Sequence, residues 1–481
     1  MAKSIMIQGT GSNVGKSLLV AGICRALSNR GFKVSPFKPQ NMSNNAAVTK
    51  DNGEIGRAQA LQAIASRIKP HSDLNPVLLK PESEIGSQVI VNGKRIATVK
   101  ARGYAKLKPK LLNAVMKSFG RLKEDNDFVI IEGAGSPAEI NLRKGDIANM
   151  GFAEVANVPV VLVADIDRGG VIAQLVGTKT ILDPADSERI KGFIINKFRG
   201  DISLFDDGLV ITKEKTNWSS LGVVPWFDKA NILPAEDILD ISSSEGGPIN
   251  IVVPKLRRIA NFDDLDPLKI EPSISLKIIE RGNPLPQDSQ LILIPGSKST
   301  ISDLEDFYSQ GWDIDLKAHV RRGGKVLGIC GGYQMLGKMI HDPKGIEGPP
   351  QSIKGLGLLN IETTMSEQKI LKEVTATTTD GKLKVNGYEI HIGQSIGADL
   401  ENSWLKVNNK SVSASSKDGK VQGCYIHGLF SNDAFRSDYI KSLGALASDI
   451  NFNGTIDHTL NLLSSHIENF IDFDRLISLA E

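Results

Sequence analysis

The chain has 481 residues, of which 41% are hydrophobic and 23% charged, with a formal net charge of +2. That length exceeds one ordinary core and predicts two or three domains, while the near-neutral balance argues against a dedicated nucleic-acid binder. Three unpaired-looking cysteines (Cys24, Cys330, Cys424), no basic-then-apolar leader and no apolar run of membrane-spanning length argue against disulfides, structural zinc and membrane insertion, so a soluble cytoplasmic protein is expected.

In chain order, residues 4–8 form an apolar strand that leads into Gly9-Thr-Gly11-Ser-Asn13-Val-Gly15-Lys16-Ser17 and then an amphipathic helix. Strand, glycine-rich loop, Lys-Ser and helix make a phosphate-cradling P-loop. Gly11, Asn13 and Gly15 belong to the cradle, Lys16 reaches the β/γ oxygens of ATP, and Ser17 ligates Mg²⁺. The spacing from Gly9 to Gly15 is one residue longer than in the commonest P-loop, as in dethiobiotin synthetase, which activates a carboxylate with ATP.

A second strand, 34–37, ends at Lys38. This lysine either contacts a transferring phosphoryl group or substrate carboxylate, or is a solvated surface lysine. Residues 54–68 predict a helix with an apolar stripe through Ile55, Ala58, Leu61 and Ile64. The run 94–110 carries seven basic residues and no acidic one; it reads as a solvated face or the lining of an anion pocket. The strand 127–131 ends at Glu132, an acidic residue placed where P-loop enzymes hold Mg²⁺. Strands at 158–164, 192–195 and 221–225 alternate with helices, which predicts a parallel sheet covered on both faces. Asn196, at a strand end, either reads the nucleotide base or caps the strand. A Pro/Ser/Gly-rich linker follows at 233–248.

In the second half, strands are expected at 250–253, 275–279 and 291–294, the last ending in Pro295-Gly296-Ser297-Lys298. The strand 326–329 leads into Cys330 flanked by Gly328 and Gly332, the thiol form of a nucleophile elbow whose following helix favours the thiolate. The N–H groups of Gly296 and Gly331 are expected to form an oxyanion hole. Strands at 384–392 and 421–426 follow, the second ending at His427, placed to act as base and later acid toward the leaving amine. His391, in Gly387-Tyr-Glu-Ile-His391-Ile-Gly393, competes with it or is a hydrogen-bonded structural histidine. The expected division is 1–232 as an ATP-binding, carboxylate-activating domain, 249–447 as an amidotransferase domain, and 448–481 as a C-terminal helical segment.

The motifs GTGSNVGKS, PFKPQNMSNN, EGAGSPAEINL, ADIDRGG, INKFRGD, PGSKST, GICGGYQMLG, GYEIHIG and CYIHGLF, in this order over essentially the whole chain, resemble the cobyric acid synthase family. The resemblance implies an α/β protein of two domains, P-loop NTPase-like and class I glutamine amidotransferase-like. It implies amidation of the b, d, e and g carboxylates of adenosylcobyrinic acid a,c-diamide, with ATP, Mg²⁺ and L-glutamine; joining the two halves adds the expectation that ammonia travels between them without leaving the protein. It assigns Cys330 as the glutaminase nucleophile and His427 as its base. Most class I amidotransferases follow that histidine with Pro-Glu; here Gly428 and Leu429 stand, so what orients His427 is open. The sister cobyrinic acid a,c-diamide synthases share this chemistry. A partition-ATPase-like switch with an inactive amidotransferase module is the reading from another class, and Gly11, where those proteins place a lysine, argues against it.

Overall fold

The computed structural model describes residues 2–81, 86–234, 241–446 and 448–481. It divides into two units. The first takes Met1–Ser43, Thr49–Pro234 and Ile456–Glu481; the second takes Asn44–Val48 and Ala235–Thr455. Two short pieces thus belong to a unit other than their expected one. Asn44–Val48, expected with the ATP-binding half, counts with the second unit, and most of the expected separate C-terminal segment belongs to the first. Residues 235–240 of the expected linker lie outside the described residues.

The first unit is built on six strands: β1 (Lys3–Gly9), β2 (Val34–Phe37), β3 (Phe128–Glu132), β4 (Val160–Asp165), β5 (Ile190–Phe198) and β6 (Ser219–Pro225). They lie in the order β6-β5-β4-β1-β3-β2, with every pairing parallel. β3 and β4 are buried at every position, as their uninterrupted apolar runs require of a parallel sheet covered on both faces. The order reverses direction at β1, so the loop after it opens at a switch point, where α/β sheets bind ligands. Helix α1 (Lys16–Asn29) follows that loop. Against α1 packs the returning C-terminal helix Phe452–Phe470: a Cβ on Gly22 would lie 2.1 Å from Ile467, so the glycine permits the approach. The buried Arg25 pairs with Asp457 at 2.7 Å.

A four-stranded sheet, Gln40–Met42, Val77–Pro81, Gly86–Val91 and Lys94–Lys100, adjoins helix α3 (Ala101–Asp125). The basic run therefore covers a largely exposed strand and the start of a helix. The helix expected over 54–68 is shorter. Glu54–Gly56 is extended, and helix α2 spans Arg57–Ala65. Glu54 is held by a buried ion pair to Lys80 at 3.0 Å, and the Gly56 N–H donates to Asn75. Ile55, Ala58 and Leu61 of the expected stripe are buried, but Ile64 is exposed, and Gln59 and Gln62 are buried with the apolar residues.

The second unit carries β7 (Ile249–Pro254), β8 (Ile274–Ile279), β9 (Leu291–Ile294), β10 (Lys325–Ile329), β11 (Ser413–Ser415) and β12 (Val421–Cys424), in the order β8-β7-β9-β10-β12-β11. All pairings but the last are parallel. A second sheet is dominated by the long antiparallel hairpin Glu362–Thr378 and Lys384–Ile396, against which Ile426–His427 pairs. Both units are α/β as expected. Among the described residues no helix is long and apolar enough to cross a membrane.

Candidate active sites

In the first unit, the P-loop turns through Asn13 (φ 58°) and Gly15 (φ 95°). A Cβ on Gly15 would sit 2.3 Å from Asn196 Nδ2, so both the dihedral and the space demand glycine there. Gly11 is not so confined: a Cβ there would meet nothing closer than 4.0 Å. Asn196 Nδ2 donates to the Val14 carbonyl at 2.8 Å, which fastens the loop and commits the amide nitrogen expected to read a base. Lys16 Nζ donates to the carbonyls of Gly11 (3.0 Å) and Gly135 (3.1 Å).

Glu132 is the hub of this site. Its Oε1 accepts from Ser17 Oγ and from Lys38 Nζ, both at 2.8 Å, and its Oε2 from Gln62 at 2.6 Å. Burial alone would raise its pKa, but the Lys38 charge and these hydrogen bonds outweigh it and hold the carboxyl below its ordinary value. Lys38 is itself buried, which removes the solvated-surface alternative. Gln59 and Gln62 were missed because they sit in an apolar-looking stretch and carry no motif.

Beside the P-loop lies a cavity of about 620 Å³, lined among others by Met42, Leu79, Val99, Lys108, Leu142 and Met150. Met42 and Leu142 are 56% and 54% exposed. Its wall is tied to the phosphate loop: Asn149 Oδ1 accepts from the Ala134 N–H at 3.1 Å, and the next carbonyl, of Gly135, accepts from Lys16. A Cβ on Gly133 would collide with Asn149 Oδ1 at 2.4 Å, so this glycine admits the asparagine.

In the second unit, Cys330 adopts φ 54°, ψ −108°, a strained backbone for a side-chain-bearing residue and a mark of the nucleophile elbow. A Cβ on Gly332 would lie 2.1 Å from the Ile294 carbonyl, and one on Gly328 2.7 Å from that of Gly332. The helix after Cys330, Gly331–Leu336, is only six residues long, so its dipole contributes less to thiolate formation than a full helix would. The stronger aid is His427. Its Nδ1–H donates to Asp264 Oδ2 at 2.7 Å, and its Nε2 is buried with no hydrogen-bond partner among the described residues. Burial would lower the imidazole pKa; the Asp264 charge and hydrogen bond, with Cys330, outweigh it and push it up to about 10.

Asp264 answers what orients His427. Its other oxygen accepts from the Gly428 N–H at 2.6 Å, so one carboxylate fixes both the ring and the adjoining left-handed glycine (φ 80°). It stands 163 residues before the histidine, and nothing in the Asp263-Asp264 pair signals the partnership. Tyr388 stacks on His427 with ring centres 5.2 Å apart. The expected oxyanion residues adjoin these groups: a Cβ on Gly331 would sit 2.8 Å from the Ser297 nitrogen, and one on Gly296 3.1 Å from His427 Cε1. His391 has other partners. It lies stacked on Tyr425, and burial pushes its pKa down to about 3.

Comparison with known proteins agrees with both halves. Residues 5–240 match the CobQ/CobB/MinD/ParA nucleotide binding domain, and residues 250–435 the CobB/CobQ-like glutamine amidotransferase domain. A cobyric acid synthase of Ruegeria sp. (strain TM1040) is 58% identical, over 99% of this chain and 98% of its own length. That of Bradyrhizobium diazoefficiens is 57% identical over the whole of both chains, and one of Rhodobacter capsulatus is 57% identical over 99% of each. With two matched domains spanning a P-loop and a cysteine–histidine–aspartate centre, and relatives matched end to end, the chain belongs to the cobyric acid synthase family.

Proposed function

We propose that the two centres divide the family's glutamine-dependent, ATP-driven amidation of corrinoid carboxylates in cobalamin biosynthesis between them, with the b, d, e and g groups of adenosylcobyrinic acid a,c-diamide as the acceptors. In the second unit, the Cys330 thiolate attacks the glutamine carboxamide carbon. The amides of Gly296 and Gly331 receive the developing oxyanion. The His427 imidazolium gives its Nε2 proton to the departing nitrogen, and ammonia leaves. The neutral imidazole then takes a proton from water, which opens the thioester to glutamate and frees the thiolate. Asp264 keeps Nδ1 protonated throughout, so Nε2 alone exchanges the proton. The observation that carries this half is the 2.7 Å Asp264–His427 contact beside a strained Cys330.

In the first unit, Lys16 and the loop amides hold the ATP phosphates. The corrinoid carboxylate enters from the adjoining cavity, where Lys108 supplies positive charge and the apolar rim takes part of the macrocycle. A carboxylate oxygen attacks the γ-phosphorus, ADP leaves, and ammonia displaces phosphate from the acyl phosphate to give the amide. The Ser17 hydroxyl and Glu132 carboxylate, both hard oxygens 2.8 Å apart, suit Mg²⁺, which takes only one or two protein oxygens alongside water and phosphate. Among the described residues no cluster of three acidic, His or Cys ligands exists, as such a site allows. When bound, the ion would neutralise charge developing on the transferring phosphoryl group. Lys38, bound to Glu132, is placed to turn toward that group.

Mass spectrometry of adenosylcobyrinic acid a,c-diamide incubated with the protein, glutamine and Mg-ATP tests this reading. Each amidation replaces a hydroxyl by an amino group, so four successive losses of about one mass unit, all dependent on ATP, are expected. No change on this substrate, with two steps on the undiamidated corrinoid instead, would transfer the assignment to the sister synthases.

A further inference from the structure

The Gly387–Gly393 motif remains without a role in the chemistry above, although the structure carries it directly to the nucleophile: the Ile390 carbonyl lies 3.6 Å from Cys330 Sγ. The next residue, His391, is buried and stacks face to face on Tyr425, with ring centres 3.7 Å apart and planes within 13°. Its Nδ1 lies 3.2 Å from the Gly393 carbonyl. A carbonyl oxygen only accepts, so Nδ1 carries the proton, and in a neutral ring Nε2 is then an acceptor. No described residue donates to that Nε2.

The surroundings hold the ring in this state and place. Tyr425 also packs against Tyr333, edge-on at 5.1 Å, and its hydroxyl contacts Ser395 at 2.7 Å and Gln334 Nε2 at 3.3 Å. Gln334 also donates to the Ile392 carbonyl at 2.9 Å. Gly393, with φ 92°, turns the strand where its pairing with the neighbouring strand slips between Thr364 and Lys369. That turn lets the Gly393 carbonyl reach back to the imidazole. The groups that face His391 are Tyr425, the Gly393 carbonyl, the charge of Lys372 and the imidazole of His427; the two cations both disfavour a second positive charge there.

We infer that His391 is a specificity-determining residue for the nitrogen donor: its Nε2 accepts a hydrogen bond from the carboxamide NH₂ of glutamine bound against Cys330. An acceptor beside the thiol distinguishes glutamine from glutamate, whose carboxylate has no hydrogen to offer. It also fixes the amide plane so that the nitrogen faces His427, the group that must protonate it. Two neighbouring imidazoles then divide the work: one is held charged as proton donor, the other neutral as acceptor. This rests on the reading of Cys330 and His427 as the glutaminase.

The test compares glutamine with 6-diazo-5-oxo-L-norleucine, a diazoketone that fits the same site and alkylates the thiol but has no carboxamide nitrogen. For His391→Ala, glutamine kcat/KM is expected to fall about tenfold to a hundredfold. The rate of inactivation by the diazoketone, with the adduct located on Cys330, should stay within about twofold of wild type, and so should amidation from ammonium salts. His391→Gln, which keeps an acceptor oxygen, should recover much of the glutamine activity. The inference is overturned if glutamine kinetics do not change, or if diazoketone labelling falls in step with glutamine turnover, because the histidine would then serve the fold or the thiol itself. Failure of the diazoketone to label Cys330 even in the wild type would instead remove the glutaminase reading.

Discussion

The two centres solve one problem, bringing a reactive loop out of a parallel strand, with different distributions of sequence. The phosphate site is local: Gly9 to Ser17 supply the cradle in one stretch, and Glu132 joins from a strand adjacent to β1. The thiol site is dispersed: Asp264, Cys330 and His427 come from segments separated by 66 and 97 residues, and of the oxyanion glycines Gly331 adjoins Cys330 while Gly296 comes from a further turn. Charge is handled differently too. The phosphate site keeps a carboxylate against a lysine, a pair that a bound nucleotide can rearrange. In the thiol site a buried carboxylate holds a buried imidazole charged, and nothing need enter to complete the pair.

Substitutions can break or sharpen this contrast. The largest expected effect is from Cys330→Ala: glutamine-dependent amidation should fall by more than about 10⁴-fold, while amidation from ammonium salts survives. Retained glutamine use would remove Cys330 as nucleophile. Asp264→Asn should lower kcat for glutamine by about 10²–10⁴-fold, since the imidazole loses its tautomer and its counter-charge. Ammonium-dependent activity measured on the same sample should not move. Lys16→Ala should reduce turnover from both nitrogen sources together, by about 10²–10³-fold; an effect on glutamine alone would refute its place at the phosphates.

A pH effect follows from the raised imidazole. Because the folded pKa of His427 is about 10, above the ordinary value, the stabilisation it gives is fully present below about pH 6.5 and is lost as pH rises through about 10. Thermal unfolding should therefore show an alkaline decline that Asp264→Asn shifts toward neutral pH. The smallest effect lies outside both centres. Asp457→Ala leaves Arg25 with the Ile64 carbonyl at 3.0 Å and Asn461 at 3.4 Å, and should cost about 1–2 kcal/mol of stability, discounted because Asp457 is half exposed. Denaturant titration measures it, and activity at low temperature should be unchanged.

Legibility followed the same divide. The P-loop and the elbow could be read because glycines at fixed spacing around Lys16 and Cys330 reflect backbone geometry, which leaves a mark in sequence. Most strands of the two parallel sheets were legible from their apolar character, but the edge strand Ser413–Ser415, a polar Ser-Ala-Ser, was not. Asp264 was not: a carboxylate recruited across 163 residues obeys no spacing, and its companion Asp263 looks the same. Gln59 and Gln62 were hidden for a related reason. They are buried in α2 between apolar neighbours: Ile55, Ala58 and Leu61 of the expected stripe are buried as read, and only Ile64 lies exposed. Tyr388 gave no signal beyond its motif.

The threading of the chain through the two units has a practical corollary for dissection. A fragment cut at residue 234 would carry Asn44–Val48 away from the unit they count with, and would leave behind Ile456–Glu481. It would present to water the groove on α1 where Ile467 meets Gly22, and Arg25 would stand without its carboxylate. Such halves are expected to aggregate when expressed singly and to regain solubility when the 456–481 peptide is supplied in trans.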